Sequence, residues 1–135
     1  VDYRRNLVDS DGNMVNFETF IIKPTLVNFW ATWCPPCIAE MPDLNKLYNA
    51  YKDRVNFVFV SDENPEITSA FINKNQYDFQ NFRPTAQAPQ LLQSSALPTT
   101  YLLSAEGEIV IKKTGAADWN HQKVKELLDQ LIAKE

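Results

Sequence analysis

Two apolar runs along the chain predict strands that are buried on both faces. Residues 25–30 (TLVNFW) and 55–60 (VNFVFV) are almost continuously apolar, which is typical of the inner strands of a sheet. Between them, from Pro36 to about Tyr51, apolar side chains recur at steps of three and four residues, which indicates a helix with one buried stripe. Pro42 lies inside this pattern, and its ring is expected to kink the helix. The order strand, helix, strand predicts two parallel strands joined by a helical crossover.

Hairpins are predicted near both ends of the chain. Residues 3–8 and 14–18 alternate between apolar and polar side chains on either side of a turn-rich stretch, residues 9–12 (DSDG). Residues 99–103 and 108–112 are the second predicted pair of strands, and the turn SAEG joins them.

Two more helices are predicted in the second half of the chain. Asn64 followed by Pro65 is typical of a helix start. Apolar side chains recur with the helical period from Val124 to Ile132 and predict a final helix. Residues 77–97 carry a weaker pattern, which favours a short edge strand and a short helix.

Composition and charge indicate one globular domain that spans residues 1–135. Hydrophobic residues make up 44% of the chain and the net charge is −4, with no block of basic residues, so nucleic acid is not an expected partner. No apolar run approaches the roughly 20 residues that a membrane-spanning helix needs. Because the sequence begins at Val1 and not at methionine, we expect an upstream segment, such as a membrane anchor, outside this chain.

The two cysteines, Cys34 and Cys37, lie two residues apart at the start of the first predicted helix. A disulfide between them closes so short a loop that it would stabilise the fold by only about 2 kcal/mol. A structural zinc site would need about four ligands, and the single histidine, His121, has no partner motif and is expected to be solvated and inert. The spacing therefore favours a redox-active pair without a metal. Because free amide groups at a helix start stabilise a thiolate, we expect Cys34 to be an accessible nucleophile and Cys37 to be the resolving thiol.

The motif that follows the strand residues VNFWAT is Trp33-Cys34-Pro35-Pro36-Cys37. It resembles the thioredoxin superfamily, in particular the extracytoplasmic TlpA/ResA-like branch of that superfamily. Pro42 matches the kinking proline of the family's helix, and Leu97-Pro98-Thr99 resembles its cis-proline loop. Gly115 resembles the glycine that opens the last loop of the family's substrate groove.

The resemblance implies a thioredoxin-like three-layer α/β sandwich, with helices on both sides of a mixed central sheet and the N-terminal hairpin as an extension. It implies a thiol–disulfide oxidoreductase that needs no cofactor and acts outside the cytoplasm. The partners are then protein disulfide substrates and a thiol–disulfide electron donor. Some members keep the cysteines of apocytochrome c reduced, so a general and a narrow role both stay open. The implied substrate-binding positions are Trp33, Pro35, Pro36, Leu97, Pro98 and Gly115.

Two polar positions near the motif bear on proton transfer. Thioredoxin itself carries a buried aspartate, which acts as a proton acceptor, in the strand before the motif. This chain has Asn28 there, which we expect to be a hydrogen-bonded amide that cannot ionise. Glu40 resembles the replacement found in the ResA-like branch, and it lies one helical turn after Cys37. We expect burial to raise the pKa of Glu40 and to let it exchange a proton with Cys37; an exposed helix acid is the alternative.

The two prolines of the motif indicate the direction of electron flow. Pro35 and Pro36 lack the amide hydrogens that would otherwise stabilise a thiolate at Cys34. A less stable thiolate makes the dithiol a better electron donor, so a reductant is favoured over a strong oxidant.

Other functions on the same fold stay open. A peroxiredoxin-like peroxidase would carry a threonine three residues before its reactive cysteine, where this chain has Ala31. A metallochaperone on this scaffold would use a wider cysteine spacing and a histidine near the last loop, which here reads TGAA. A binding module without chemistry is disfavoured by the intact pair of cysteines.

Overall fold

The computed structural model describes residues 7–15, 22–84 and 96–134, and in these ranges the chain forms seven strands and three helices. The strands are β1 (Leu7–Val8), β2 (Met14–Val15), β3 (Thr25–Phe29), β4 (Asn56–Val60), β5 (Asn81–Pro84), β6 (Thr99–Leu103) and β7 (Ile109–Thr114). The helices are α1 (Pro35–Tyr51), α2 (Pro65–Lys74) and α3 (Gln122–Ala133).

All seven strands join one mixed sheet in the order β2-β1-β5-β4-β3-β6-β7. The inner strand β3 is parallel to β4 and antiparallel to β6. Strand β5 continues the parallel part beside β4, and β7 pairs antiparallel with β6. The predicted crossover is confirmed, because α1 connects the parallel neighbours β3 and β4.

The register brings four chain segments to one end of the sheet. Phe29, the last residue of β3, lies opposite Val60, the last residue of β4, and opposite Thr99, the first residue of β6. Thr99 in turn lies opposite Thr114, the last residue of β7. The segments that leave or enter these strands therefore meet at the carboxyl end of β3, where open α/β sheets bind their ligands.

Alternate residues of the strands fill two apolar clusters on opposite faces of the sheet. One cluster contains side chains of the sheet and of all three helices, among them Leu26, Phe59, Leu44, Ile72 and Leu128. The other is formed by strand residues, among them Val27, Phe29, Val58, Tyr101 and Leu103. Both faces of the sheet are thus buried, which explains the continuous apolar runs in β3 and β4.

The structure confirms the α/β class, the mixed sheet with helices and the N-terminal hairpin. It corrects the expectation of an edge strand in residues 77–97, because β5 is internal: Leu7 of the hairpin pairs with Pro84 and covers that side of β5. The short helix expected in the same stretch lies outside the described residues. Pro42 lies inside α1, which continues to Tyr51. None of the helices in the described ranges is long and apolar enough to cross a bilayer.

Candidate active site

Cys34 and Cys37 form a disulfide at the start of α1, with their Cα atoms 5.3 Å apart. Cys34 is the N-cap residue of the helix and has an extended backbone, which directs its side chain over the first turn. Pro35 and Pro36 occupy the first two helical positions, so Cys37 has the first amide hydrogen of the helix. That amide donates to Cys34 Sγ across 3.3 Å. The sulfur of Cys34 therefore lies at the positive end of the helix and accepts from the amide of the third helical position, because the second position, the other one from which an N-cap side chain accepts, is a proline.

The disulfide is more buried than the sequence predicts. Only 4% of Cys34 is exposed and Cys37 is fully buried, whereas Trp33 is 70% exposed. The Cys34 sulfur is bonded to the fully buried Cys37 and accepts from the Cys37 amide, so it is held against the first turn of α1. Pro35 and Pro36 are exposed and, with Trp33, form the surface around the small open part of Cys34. Trp33 thus has the exposure that its implied substrate-binding position requires.

Glu40 lies one turn after Cys37 on α1 and is only 3% exposed. Its Oε2 atom accepts two hydrogen bonds from the segment that precedes α3, one from Ala117 N at 3.1 Å and one from Trp119 Nε1 at 3.0 Å. Its Oε1 atom accepts one from Asn28 Nδ2 at 3.1 Å. The alternative of an exposed helix acid is therefore wrong. The amide predicted at Asn28 is hydrogen-bonded, to Glu40 and also to Thr100 Oγ1 at 2.9 Å.

Burial raises the pKa of the Glu40 carboxyl above its ordinary value of 4.5, because the charged form loses its hydration. The three hydrogen bonds, from Ala117, Asn28 and Trp119, oppose this effect and lower the pKa in part. The result is a carboxyl group that is shielded from water, fully hydrogen-bonded and easier to protonate than an exposed glutamate.

A second carboxylate, which the sequence analysis missed, holds the segment just before Cys34. Glu63 follows β4 and accepts hydrogen bonds from Thr32 N at 2.8 Å and from Thr32 Oγ1 at 2.6 Å. The hydroxyl group of Ser61 also donates to it, at 2.9 Å. The residue spacing gave no signal for this contact, because Thr32 and Glu63 meet only through the pairing of β3 with β4.

The predicted groove residues Pro98 and Gly115 lie side by side. The Leu97–Pro98 peptide bond is cis, Pro98 is buried and Leu97 is half-buried. Gly115 N donates to the carbonyl oxygen of Pro98 across 2.8 Å. Gly115 has φ = +93°, a backbone conformation that favours glycine because other residues are strained there. The loop after β7 and the loop before β6 are therefore joined at the same end of the sheet as the disulfide.

His121 is exposed, as predicted, and it is the N-cap residue of α3, where its Nδ1 atom accepts a hydrogen bond from Lys123 N at 3.0 Å. In the described ranges, no group of three or more His, Cys, Asp or Glu side chains is arranged to hold a metal ion.

Comparison with known proteins shows the family to which this chain belongs. The family described as Redoxin matches residues 2–131. The chain belongs to the Redoxin family. Among its curated relatives, the thiol-disulfide oxidoreductase ResA of Halalkalibacterium halodurans is 32% identical over 138 aligned positions, gaps included, and the alignment covers 91% of this chain and 70% of the relative. The sporulation thiol-disulfide oxidoreductase A of Bacillus subtilis is 32% identical over 97 aligned positions, and that alignment covers 67% of this chain and 59% of the relative.

A solved structure supports the same assignment. The solution structure of a thiol:disulfide interchange protein from Bacteroides sp. superposes with a TM-score of 0.77 at 26% identity, over 92% of this chain and 85% of that one. The predicted thioredoxin-like fold and the resemblance to the ResA-like branch are thereby confirmed. In this redoxin, the pairing of β3 with β4 and β6 assembles the motif cysteines, Glu40 and the Pro98 loop at one end of the sheet.

Proposed function

We propose that this thiol–disulfide oxidoreductase reduces disulfides of other proteins outside the cytoplasm, with Cys34 as nucleophile and Cys37 as resolving thiol. The observation that carries the proposal is the closed Cys34–Cys37 disulfide at the N-terminus of α1, with Cys34 as the more exposed of the two cysteines. A helix start stabilises a thiolate at this position and leaves the second thiol within bonding distance.

The reaction transfers two electrons in two exchange steps. The Cys34 thiolate attacks one sulfur of the target disulfide, which forms a mixed disulfide and releases the other target sulfur as a thiolate. The Cys37 thiolate then attacks Cys34 Sγ, so that the second target sulfur leaves as a thiolate and the Cys34–Cys37 disulfide forms. The two target thiolates take up protons. A thiol–disulfide electron donor reverses this change in the enzyme and completes the cycle.

The preference for reduction follows from the donors around Cys34. With Pro35 and Pro36 at the first two helical positions, the amide of Cys37 is the first that can stabilise the thiolate. A weakly stabilised thiolate disfavours the reduced enzyme and gives a low reduction potential. We expect a potential nearer to that of thioredoxin, about −270 mV, than to that of the strong oxidants near −120 mV.

Glu40 is proposed as the proton acceptor for Cys37. It lies one turn below that residue, is buried, and has a raised pKa. Cys37 must lose its proton before it can resolve the mixed disulfide. A carboxylate shielded from water can take that proton and return it in the next cycle.

The surface around Cys34 supplies the proposed substrate contacts. Trp33 offers an exposed aromatic face, and the exposed Pro35 and Pro36 lie beside it. The segment of Leu97 and Pro98, held to Gly115, forms the opposite side of the proposed groove. A target protein in extended conformation would lie between these two sides.

The compartment and the target class rest on the resemblance to the ResA-like branch. A position outside the cytoplasm agrees with a reductant that works where protein disulfides persist. The narrower form of the proposal is reduction of apocytochrome c cysteines before haem attachment.

Insulin reduction with a thiol donor tests the activity. The wild type is expected to accelerate precipitation of the insulin B chain, and Cys34→Ser is expected to abolish this effect. Cys37→Ser is expected to lose turnover but to accumulate a mixed disulfide with the target, because nothing resolves it. A Cys34→Ser variant that accumulated the mixed disulfide instead would reverse the assigned roles. Titration against glutathione tests the direction: a potential above about −150 mV would contradict a reductant.

A further inference from the structure

The side-chain amide of Asn28 makes both of its hydrogen bonds through the same atom. Asn28 is fully buried, and its Nδ2 atom donates to Glu40 Oε1 at 3.1 Å and to Thr100 Oγ1 at 2.9 Å. Its Oδ1 atom is also buried but accepts no hydrogen bond from any of the residues that the structure describes. A buried acceptor without a donor costs about 1–3 kcal/mol, so the arrangement calls for an explanation.

The two oxygens of Glu40 have different neighbours, and this difference decides where a proton can bind. Oε2 accepts from Ala117 N and from Trp119 Nε1, and both of these groups are donors only. A proton on Oε2 would collide with them. Oε1 is contacted by Asn28 alone among the hydrogen-bond donors of the described residues. Protonated Glu40 therefore carries its hydrogen on Oε1, where Asn28 is the described side chain within hydrogen-bonding distance.

Protonation at Oε1 conflicts with the amide orientation just described. A carboxylic acid O–H and an amide N–H cannot hydrogen-bond to each other through their hydrogens. The oxygen and nitrogen of an amide have nearly the same size, so a half-turn of the amide group exchanges them without a change in volume. After the half-turn, Oδ1 can accept from Glu40 and also from the hydroxyl group of Thr100, which can act as donor or acceptor.

We infer that Asn28 is a positioning residue whose side-chain amide rotates by a half-turn whenever Glu40 gains or loses a proton. In either orientation, the end of the amide that faces Glu40 and Thr100 has two partners, and the other end has none. The protonation state of Glu40 therefore decides whether Nδ2 or Oδ1 faces these two partners. Unlike an aspartate, this amide stabilises both forms of the carboxyl group. The inference deepens the proton-acceptor role proposed for Glu40 but requires only that Glu40 titrates.

None of the described groups that contact Glu40 is charged, so none of them competes with it for the proton. From β3, β6 and the segment before α3, the groups that surround it are the Asn28 amide, the Thr100 hydroxyl bonded to that amide, the Ala117 amide and the Trp119 indole. On α1, Cys37 is held in the disulfide and does not titrate. Asp118 is exposed, and its carboxylate accepts a hydrogen bond from Asn120 N.

The test is an NMR titration of the oxidised protein, in which both cysteines are held in the disulfide and do not titrate. The carboxyl ¹³C shift of Glu40 gives its midpoint, and the side-chain NH₂ signals of Asn28 report the amide. Above the midpoint, we expect strong NOEs from the Asn28 NH₂ protons to Glu40 and Thr100; below it, these NOEs should be lost. Asn81 is an internal control, because its Oδ1 and Nδ2 atoms are both paired, with Trp30 and with Ser61, and its signals should not titrate.

If the Asn28 NOEs were the same below and above the midpoint of Glu40, the inference would be overturned. This measurement uses the wild-type protein alone. Two variants add independent readouts. In Glu40→Gln, the Asn28 signals should lose their titration. Asn28→Leu should change the proton dissociation constant of Glu40 by less than tenfold, because both protonation states lose a partner. A fixed donor would stabilise only the carboxylate, and its loss would weaken the acid by about tenfold or more, which would contradict rotation. None of these readouts depends on reductase activity, so the proposed function can fail separately.

Discussion

Trp119 donates its indole hydrogen to Glu40 Oε2 across 3.0 Å, although 79 positions separate the two residues. The contact joins the segment before α3 to the first helix, one turn from the disulfide. The Ala117 amide donates to the same oxygen, so two hydrogen bonds from this segment stabilise the negative charge of Glu40 and oppose the larger effect of burial on its pKa.

Trp119→Phe should raise the pKa of Glu40 further, because the ring remains but a donor to the carboxylate is lost. The carboxyl ¹³C titration of the oxidised protein measures the change. Trp30→Phe is a matched control, since Trp30 is also buried but donates to Asn81. The control is expected to lower stability and to leave the pKa of Glu40 where it is. Equal shifts in both variants would show that the indole contact has no specific effect.

Glu40→Gln should remove a pH dependence of stability. The pKa of Glu40 is raised in the folded state, so between pH 4.5 and that raised pKa the folded protein binds more protons than the unfolded chain. The free energy of unfolding of the wild type therefore falls as the pH rises through this window, by at most about 1.4 kcal/mol per pH unit from this group. Urea unfolding of the oxidised proteins at a series of pH values measures this free energy, and Glu126→Gln, at an exposed position, is the control. Parallel curves for the wild type and Glu40→Gln would disprove the prediction.

Pro36→Ala should make the dithiol more oxidising. Position 36 is the second helical position, from which an amide can reach the side chain of the N-cap residue, here Cys34. The restored donor should lower the pKa of the Cys34 thiol and raise the reduction potential by about 20 mV, the equivalent of one hydrogen bond. Pro35→Ala is the matched control, because the first helical amide is not one that the N-cap side chain usually accepts from. A glutathione titration measures both; a larger rise in the control would contradict the argument.

Glu63→Ala should loosen the segment before Cys34. The carboxylate accepts from the amide and hydroxyl groups of Thr32 and from Ser61, and its removal leaves these donors without that partner. We expect a loss of about 1–3 kcal/mol in the free energy of unfolding, together with faster hydrogen exchange at the Thr32 amide. Glu126→Ala, on the exposed side of α3, should change neither quantity measurably. An unchanged exchange rate at Thr32 in Glu63→Ala would count against an anchoring role.

The sequence predicts those features of the fold and site that depend on neighbouring residues. The apolar runs of β3 and β4, the cap at Asn64 and the cysteine pair at the start of α1 are all local patterns, and the structure confirms them. The burial expected for Glu40 rests on the same kind of pattern, because Glu40 lies one helical turn after Cys37 and on the same face of α1 as Leu44.

Features that depend on distant residues could not be predicted. Nothing near Trp119 or Glu63 indicates that one contacts Glu40 and the other Thr32, because these contacts arise only when the strands pair in their observed register. For the same reason β5 was expected at an edge: its weak pattern gave no sign that Leu7 would pair beside it. The burial of Cys34 depends on a side-chain direction that spacing does not specify.

Among the strands that the structure describes, β7 lies at one edge of the sheet, and the side chains along it affect how the protein behaves at high concentration. Ile109 and Val110 are exposed at the start of this strand. Exposed apolar side chains on an edge strand favour pairing with a strand of another polypeptide. Lys112 and Lys113 follow on the same strand and are also exposed. These two adjacent positive charges repel the same strand of a second molecule. They therefore oppose the self-association that the exposed apolar residues of β7 would otherwise promote.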